Sequence, residues 1–283
     1  MYTNIFTKIN NLDNLTNSEV KLVKFISDHP EEFVNLKPKE IAAKTYISIP
    51  TIYRLINKLG ISGINDFKLE IKSALTNKDN ANIDDFNFPI LPTDSQYEVM
   101  LRLKDVYFQT INDTIDLSNP NSLVNATILL EKAKTISIFT SAGNIFFALN
   151  FKFQMQEIGI EINVPTEEYS QRLTATNCSD NDLAIVISFG GRGMNAEKIC
   201  KILKNNNTSI LLITSTIPNK LNKYANTTIY MSSYEEHYNK ISSFSTRLTL
   251  LFILDTLYAN YFRRNYDKNY KLKIQKYNAL SLK

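Results

Sequence analysis

The chain has 283 residues, 43% of them hydrophobic and 21% charged, a globular composition that excludes global disorder and fits one large domain or two ordinary ones. No apolar run approaches the roughly 18 residues of a membrane-spanning helix; the longest, Leu248–Leu254, is broken by Thr249 and closed by Asp255. Two cysteines, Cys178 and Cys200, and two histidines exclude a disulfide framework and a Cys/His zinc cluster. The N-terminus has no secretory core, so the expectation is a cytoplasmic chain with no metal and no cofactor.

The net charge of +4 is unevenly placed. From Arg263 to Lys283 there are seven Lys/Arg (263, 264, 268, 271, 273, 276 and 283) against Asp267 alone. Residues 265–283 therefore read as a basic tail, either a solvated extension or a contact for nucleic acid or an anionic surface. From Asp79 to Glu131, nine acids oppose Arg102 and Lys104. The first part, NKDNANIDDFNFPILPTDS, has two prolines and no helical period, which marks a linker. The expected organisation is a domain over 1–77, a linker over 78–104, a second domain over 105–264 and the tail.

In the first domain, Thr16 and Glu19 form a capping box ahead of an apolar stripe of Val20, Val23 and Ile26, widened by Leu22 and Phe25. Asp28-His29-Pro30 ends that helix. Pro38 then opens a short helix with small residues Ala42 and Ala43, and Thr45-Tyr46-Ile47 is a tight connector. Ser48 is an N-cap candidate for a second helix with the stripe Ile52, Leu55, Ile56 and Leu59, ended by Gly60. This is a helix-turn-helix, whose second helix offers polar side chains to a DNA major groove. Its outward set is Ser48, Thr51, Tyr53, Arg54, Asn57 and Lys58, with no acid between Glu40 and Asp66 to repel phosphate. Arg54 can fork onto guanine and Asn57 onto adenine, while Ser48, Thr51, Tyr53 and Lys58 suit phosphate anchoring. The expected partner is a double-stranded DNA operator.

Beyond the linker, helices are expected over Asp105–Leu117 and Asn121–Ala133. Strand and helix then alternate: strands Thr135–Phe139, Ile160–Val164, Asp182–Ser188, Ser209–Thr214 and Thr227–Met231, with helices Ile145–Ile158, Asn195–Lys204 and Ile241–Arg264. The fold class is α/β, an all-α helix-turn-helix domain followed by a doubly wound, mostly parallel sheet. Such sheets bind ligands beyond the carboxyl ends of their strands, and helix N-termini attract anions. Candidate contacts are Ser141, Gly143 and Asn144 in the first polar turn, and Ser188, Gly190, Gly191 and Arg192 in the second. Arg192 can pair bidentately with phosphate, whereas the glycines can equally serve only to turn the chain. Residues 165–172, with Glu168, Tyr169, Gln171 and Arg172, form a surface helix or cover the pocket.

Taken together, LTNSEVKLVKFISDHPEEFVNLKPKEIAAKTYISIPTIYRLINKLGISGINDFKLEIKSAL resembles the DNA-binding domain of RpiR/MurR-type transcriptional regulators. The resemblance lies in L-T-x-S-E, x-P-E-E, K-E-I-A, S-x-x-T-I-x-R, K-L-G-I-S-G and D-F-K. From about Ser118 to Phe262 the chain is similar to the sugar isomerase (SIS) domain that follows it in that family, through KTISIFTSAGN, DNDLAIVISFGGRG, ILLITS and Ser245-Thr246-Arg247. The resemblance implies a SIS-like sandwich that binds a phosphosugar. Two motifs depart from the family pattern. Thr140, Ala142 and Asn144 stand where G-x-G-x-S has Gly, Gly and Ser, and Gly190, Arg192 and Gly193 replace three residues of S-x-S-G-[ED]-[ST]. Asn144 and Arg192 can donate to oxyanions in place of the missing hydroxyls, the ligand being a phosphosugar or another anion.

An isomerase would need an acid and a base near the sugar carbonyl, for which Glu235, Glu236 and His237 are the available groups; a solvated polar loop is the other reading. With a DNA-binding domain attached, sensing is expected rather than turnover, and no catalytic residue is assigned. The expected protein is a homodimer or homotetramer whose phosphosugar effector alters operator binding, without membrane association. The last helix serves as a subunit contact or as core. The competing readings are a phosphosugar isomerase with a helical extension, and a phosphosugar-binding module acting through a protein partner.

Overall fold

A computed structural model describes residues 5–10, 12, 15–79, 83, 85–191, 194–217, 219–232, 234–236 and 238–281. The chain divides into two units, 1–85 with 89–117, and 86–88 with 118–283.

The first unit holds helices α1 (Ile5–Asn10), α2 (Asn17–Asp28), α3 (Pro30–Asn35), α4 (Pro38–Thr45), α5 (Ile49–Lys58), α6 (Ile64–Asp79) and α7 (Gln96–Leu117). Its core is Leu22, Ile26, Phe33, Ile41, Ile52, Leu55, Ile56, Phe67 and Ile71, all fully buried, with Phe33 and Phe67 edge-to-face at 5.5 Å. Val20 of the expected α2 stripe is instead half exposed, because Glu19 occupies the inward position beside Leu22 and Ile26. The capping box forms: the Thr16 amide donates to Glu19 Oε2 at 2.7 Å and the Glu19 amide to Thr16 Oγ1 at 3.3 Å. Helix α4 ends at Tyr46 in the left-handed region (φ 55°), and α5 ends through Gly60 (φ 72°) with the Ile61 amide donating to the Ile56 carbonyl at 3.2 Å. Helix α7 starts at Gln96 rather than Asp105 and groups with this unit, not with the α/β domain to which it was expected to belong.

The second unit runs α8 (Pro120–Lys132), β1 (Ile136–Phe139), α9 (Asn144–Glu157), β2 (Ile162–Asn163), α10 (Glu168–Asn177), β3 (Leu183–Ile187), α11 (Met194–Asn205), β4 (Ser209–Ser215), β5 (Thr227–Met231), α12 (Phe244–Arg264) and α13 (Tyr266–Leu280). The five strands are parallel in the order β2-β1-β3-β4-β5. Every residue of β1 and β3 is buried, as central parallel strands covered on both faces require. One core joins Phe151 and Met155 of α9 to Leu250, Ile253, Leu254 and Leu257 of α12 and to Ala126 and Leu130 of α8. The other joins Ala175 of α10 to Ile199, Cys200 and Leu203 of α11. Helix α12 is thus core, the second of its two expected roles. The chain leaves β1 for β2 in one direction and returns to β3, β4 and β5 in the other. The order reverses between β1 and β3, which opens a crevice at their carboxyl ends.

The segment read as a basic tail is also ordered. Residues 266–280 form α13, whose Lys273 Nζ meets Glu157 Oε2 at 2.7 Å and whose Tyr277 hydroxyl donates to Glu157 Oε1 at 2.5 Å. Lys273 therefore pairs with a carboxylate of α9 that is far away in sequence, and Lys276 donates to the neighbouring Gln156 carbonyl at 2.7 Å. No helix among the described residues is long and apolar enough to cross a membrane.

Candidate functional site

Helix α5 keeps the outward set together, with one exception. Ser48, Tyr53, Arg54, Asn57 and Lys58 are exposed, whereas Thr51 is 3% exposed. The Thr51 hydroxyl sits 2.9 Å from Ser48 Oγ and accepts from Arg54 Nη2 at 3.1 Å. Thr51 therefore holds its neighbours in place from inside the domain. Lys58 Nζ lies 2.9 Å from Glu19 Oε2, so α5 is tied to α2 by an ion pair whose acid is buried. Burial pushes the Glu19 carboxyl up, but the hydrogen bonds from the Thr16 amide and from Lys58 outweigh it and hold the pKa below the usual carboxylate value. Tyr46, in the turn between α4 and α5, is 91% exposed.

In the second unit a cavity of about 550 Å³ opens at the crevice between β1 and β3. Phe139, Val186, Ile187 and Ile199 supply an apolar floor, and the turns after β1 and β3 supply the walls. Ser141, Gly143, Asn144, Ser188 and Gly190 line it. Gly191 does not: its φ is +61° and an added Cβ would lie 2.6 Å from Asn219, so glycine is required there for close approach. Arg192 and Gly193 lie outside the described residues. The first turn is strained, with Ala142 at φ 52°, where a side chain costs about 1–2 kcal/mol relative to glycine.

Of the other lining groups, Gln171 lies in the 165–172 segment read from sequence as a surface helix or a pocket cover, whereas Asn195, Tyr238, Lys240 and Ser243 were not singled out. Gln171, 5% exposed, donates to the carbonyls of Thr140 at 2.6 Å and Pro165 at 3.1 Å and accepts from Asn195 Nδ2 at 3.2 Å. It fastens the turn after β1 to the segment after β2 and to the start of α11. Asn195 Oδ1 is buried without a hydrogen-bond partner among the described residues. Tyr238, Lys240, Ser243, Thr246 and Arg247 close the far side. Among the described residues no Asp or Glu lines the cavity, and the first turn of α9 carries no acid to offset its helix dipole. Arg247 is steered by its Nε bond to the Ser243 carbonyl at 3.0 Å and lies over the Phe244 ring at 5.6 Å.

Glu235 lies behind this wall with a fully buried side chain. Its Oε1 accepts from the Ser245 amide at 2.5 Å, and its Oε2 from the Thr246 hydroxyl at 2.7 Å, the Thr246 amide at 3.3 Å and Lys240 Nζ at 3.3 Å. It caps α12 from a distance and anchors Lys240 at the cavity. Glu236 is exposed, and His237 lies outside the described residues. Both cysteines are buried; burial pushes the Cys200 thiol up to about 12, the opposite of an activated nucleophile. Among the described residues no three His, Cys, Asp or Glu side chains cluster as metal ligands do.

A helical unit with a helix-turn-helix, joined to a parallel α/β unit with an anion-suited crevice, defines a transcriptional regulator with a sugar-isomerase-type domain. Residues 3–78 match the helix-turn-helix domain of the rpiR family and residues 129–259 match the SIS domain; the chain carries both domains of an RpiR-type transcriptional regulator. It is 25% identical over 257 residues to an uncharacterized HTH-type transcriptional regulator of Haemophilus influenzae, covering 90% of this chain and 89% of that protein. It is 24% identical to the HTH-type transcriptional regulator HexR of Escherichia coli, over 75% of this chain and 72% of that one. The fold is similar to that of the Vibrio vulnificus NanR protein, solved with ManNAc-6P, with a TM-score of 0.61, 14% identity and 99% of each chain covered.

Proposed function

We infer that this regulator binds operator DNA through α5 and that a phosphorylated sugar in the β1/β3 cavity alters that binding without being turned over. The observation that carries the reading is the cavity's charge. Arg247, and Lys240 with its partner Glu235 behind the wall, stand in a lining that holds no acid among the described residues, in a volume that suits a hexose phosphate. Among the described residues the wall carries no carboxylate to act as base, and both oxygens of the adjacent Glu235 are committed to α12 and Lys240. The complex of NanR with ManNAc-6P supports the ligand class.

The protein acts as a homodimer in this reading, since paired recognition helices must match half-sites about one DNA turn apart. Helix α9 supports it. Its inner face, Ala148, Phe151 and Met155, is buried, yet Phe146, Leu149 and Phe153 on its outer face are 74%, 40% and 61% exposed. A helix apolar on both faces belongs inside an assembly. Phe146 and Phe153 are placed symmetrically about Leu149 and Asn150. An antiparallel copy of α9 across a two-fold axis would therefore set each phenylalanine against the other.

The test is thermal unfolding with N-acetylmannosamine 6-phosphate, glucose 6-phosphate and their unphosphorylated parents. A sugar phosphate at 100 times its Kd adds about 2.7 kcal/mol, which raises the melting temperature of a unit this size by about 5–10 °C. The rise is expected with a phosphorylated sugar, not with its parent, and is lost in Arg247→Ala. Equal shifts from parent and phosphate, or none with any compound, would refute the effector class.

A further inference from the structure

Three residues from the middle of the chain hold the far wall of the cavity. Phe86–Phe88 belong to the second unit, while the chain on both sides of them, up to Asp85 and from Pro89 to Leu117, belongs to the first. The Phe86 ring stacks on Tyr234 at 4.8 Å with 20° between planes. Asn87 Oδ1 accepts from the Glu236 amide at 2.7 Å. The Asn87 carbonyl accepts from the Ile241 amide at 3.0 Å. One residue thus pins both ends of the arc 236–241, and this arc carries Tyr238 and Lys240 into the cavity lining. The described part of the arc has no helix or strand, so its position depends on such pins rather than on a regular backbone ladder. The Glu235 bonds to α12 fix the residue before it; Asn87 fixes the arc itself.

We propose that Asn87 is a positioning residue of the effector cavity, holding the 236–241 arc so that filling the cavity and seating residues 86–88 are linked. The proposal rests on the effector reading above. A ligand gripped by Lys240 steadies the arc, and a steady arc offers Asn87 its two donors. By linkage, seating of 86–88 raises ligand affinity by the same factor that ligand raises seating. Because the chain enters and leaves 86–88 from the first unit, the cavity acts on a segment that is continuous with that unit on both sides. The coupling needs no change within the sheet.

Hydrogen exchange of the full chain tests this, with and without N-acetylmannosamine 6-phosphate and with inorganic phosphate as the simpler probe. Asn87→Ala should speed exchange across 236–241 about five- to tenfold, the equivalent of one lost hydrogen bond. Asn87→Asp keeps the acceptor and should restore most of the protection. In the native chain, a probe that protects 140–144 should also protect 236–241 and 86–88, and Asn87→Ala should weaken probe binding by a similar factor. Unchanged exchange at 236–241 in Asn87→Ala overturns the clamp. Protection at 140–144 that leaves 86–88 unaltered overturns the coupling. Protection nowhere refutes the effector reading instead, and the ligand-free comparison still decides whether Asn87 holds the arc. If Asn87→Ala loosens the whole unit, Phe86→Leu removes the ring stack while sparing both hydrogen bonds. Faster exchange confined to 86–88 and 234–241 then supports the clamp, and a uniform rise through β3 and β4 overturns it.

Discussion

Replacing Glu235 separates a structural acid from a catalytic one. Its side chain is fully buried and receives two α12 amides, the Thr246 hydroxyl and the Lys240 ammonium. Truncation to alanine leaves Lys240, only 12% exposed in its side chain, without its counter-ion, and removes the α12 cap. Breaking a buried pair costs about 3–5 kcal/mol, with the lost cap part of that figure. For a unit of this size the melting temperature should fall by about 6–20 °C. Glu235→Gln keeps one acceptor, for the Ser245 amide, but loses the charge and turns an NH2 toward the Thr246 amide and Lys240 that Oε2 accepts from, so a loss of about 1–3 kcal/mol, below that of alanine, is expected. Glu236→Ala is the control: the side chain is exposed and only its backbone amide is engaged, so the change should stay within about 0.5 kcal/mol. Differential scanning calorimetry of the three variants gives the order. If Glu235→Ala melts with Glu236→Ala, Glu235 does not hold the wall, and its carboxylate is available for chemistry after all.

Arg54→Ala should weaken binding to DNA fragments selected by the wild-type protein by about 1–3 kcal/mol in fluorescence anisotropy at fixed salt; unchanged affinity would remove α5 from the interface. Acid should loosen the first unit through Glu19. Its folded pKa is lowered, so the stability it contributes is present above the ordinary carboxylate range and is lost as pH falls through the lowered value. Circular dichroism should show this loss blunted in Glu19→Gln, and an identical acid transition would count against the Lys58 pairing. Phe153→Asp should shift the protein from dimer to monomer in sedimentation velocity while preserving its circular dichroism spectrum. A variant that remains dimeric would move the interface away from α9.

The helix-turn-helix was legible because its determinants are local. The Thr16–Glu19 box, the prolines opening α4 and α5, and Gly60 each act within a turn of where they stand. The sheet was legible for a similar reason, since β3 is an unbroken apolar run, β1 an apolar run interrupted only by Ser137, and both end in polar turns. Those turns, 140–144 and 188–190, do form the cavity walls. Sequence did not yield the side that arrives from afar. Lys240 and Tyr238 sit on irregular chain whose placement is set by Asn87, 149 residues from Glu236. Helix α13 was hidden by its own charge: its lysines suggest solvent until Glu157, 116 residues away from Lys273, is seen to receive one of them.

The two glycines after β3 show why composition alone could not divide the site. Gly190 lines the cavity. Gly191, its neighbour, faces Asn219, whose amide donates to Thr214 Oγ1 at 3.0 Å and whose Oδ1 accepts from the Leu221 amide at 3.0 Å. It is glycine because β4's exit packs against it. The same logic runs the other way at Ala142, where a left-handed turn carries a methyl group. Strain of this kind persists only where surrounding contacts over-determine the backbone. The Gln171 bond to the Thr140 carbonyl, two residues earlier, is one such contact. The turn at the cavity is therefore held from α10, a helix that the sequence offered as a surface helix or a cover.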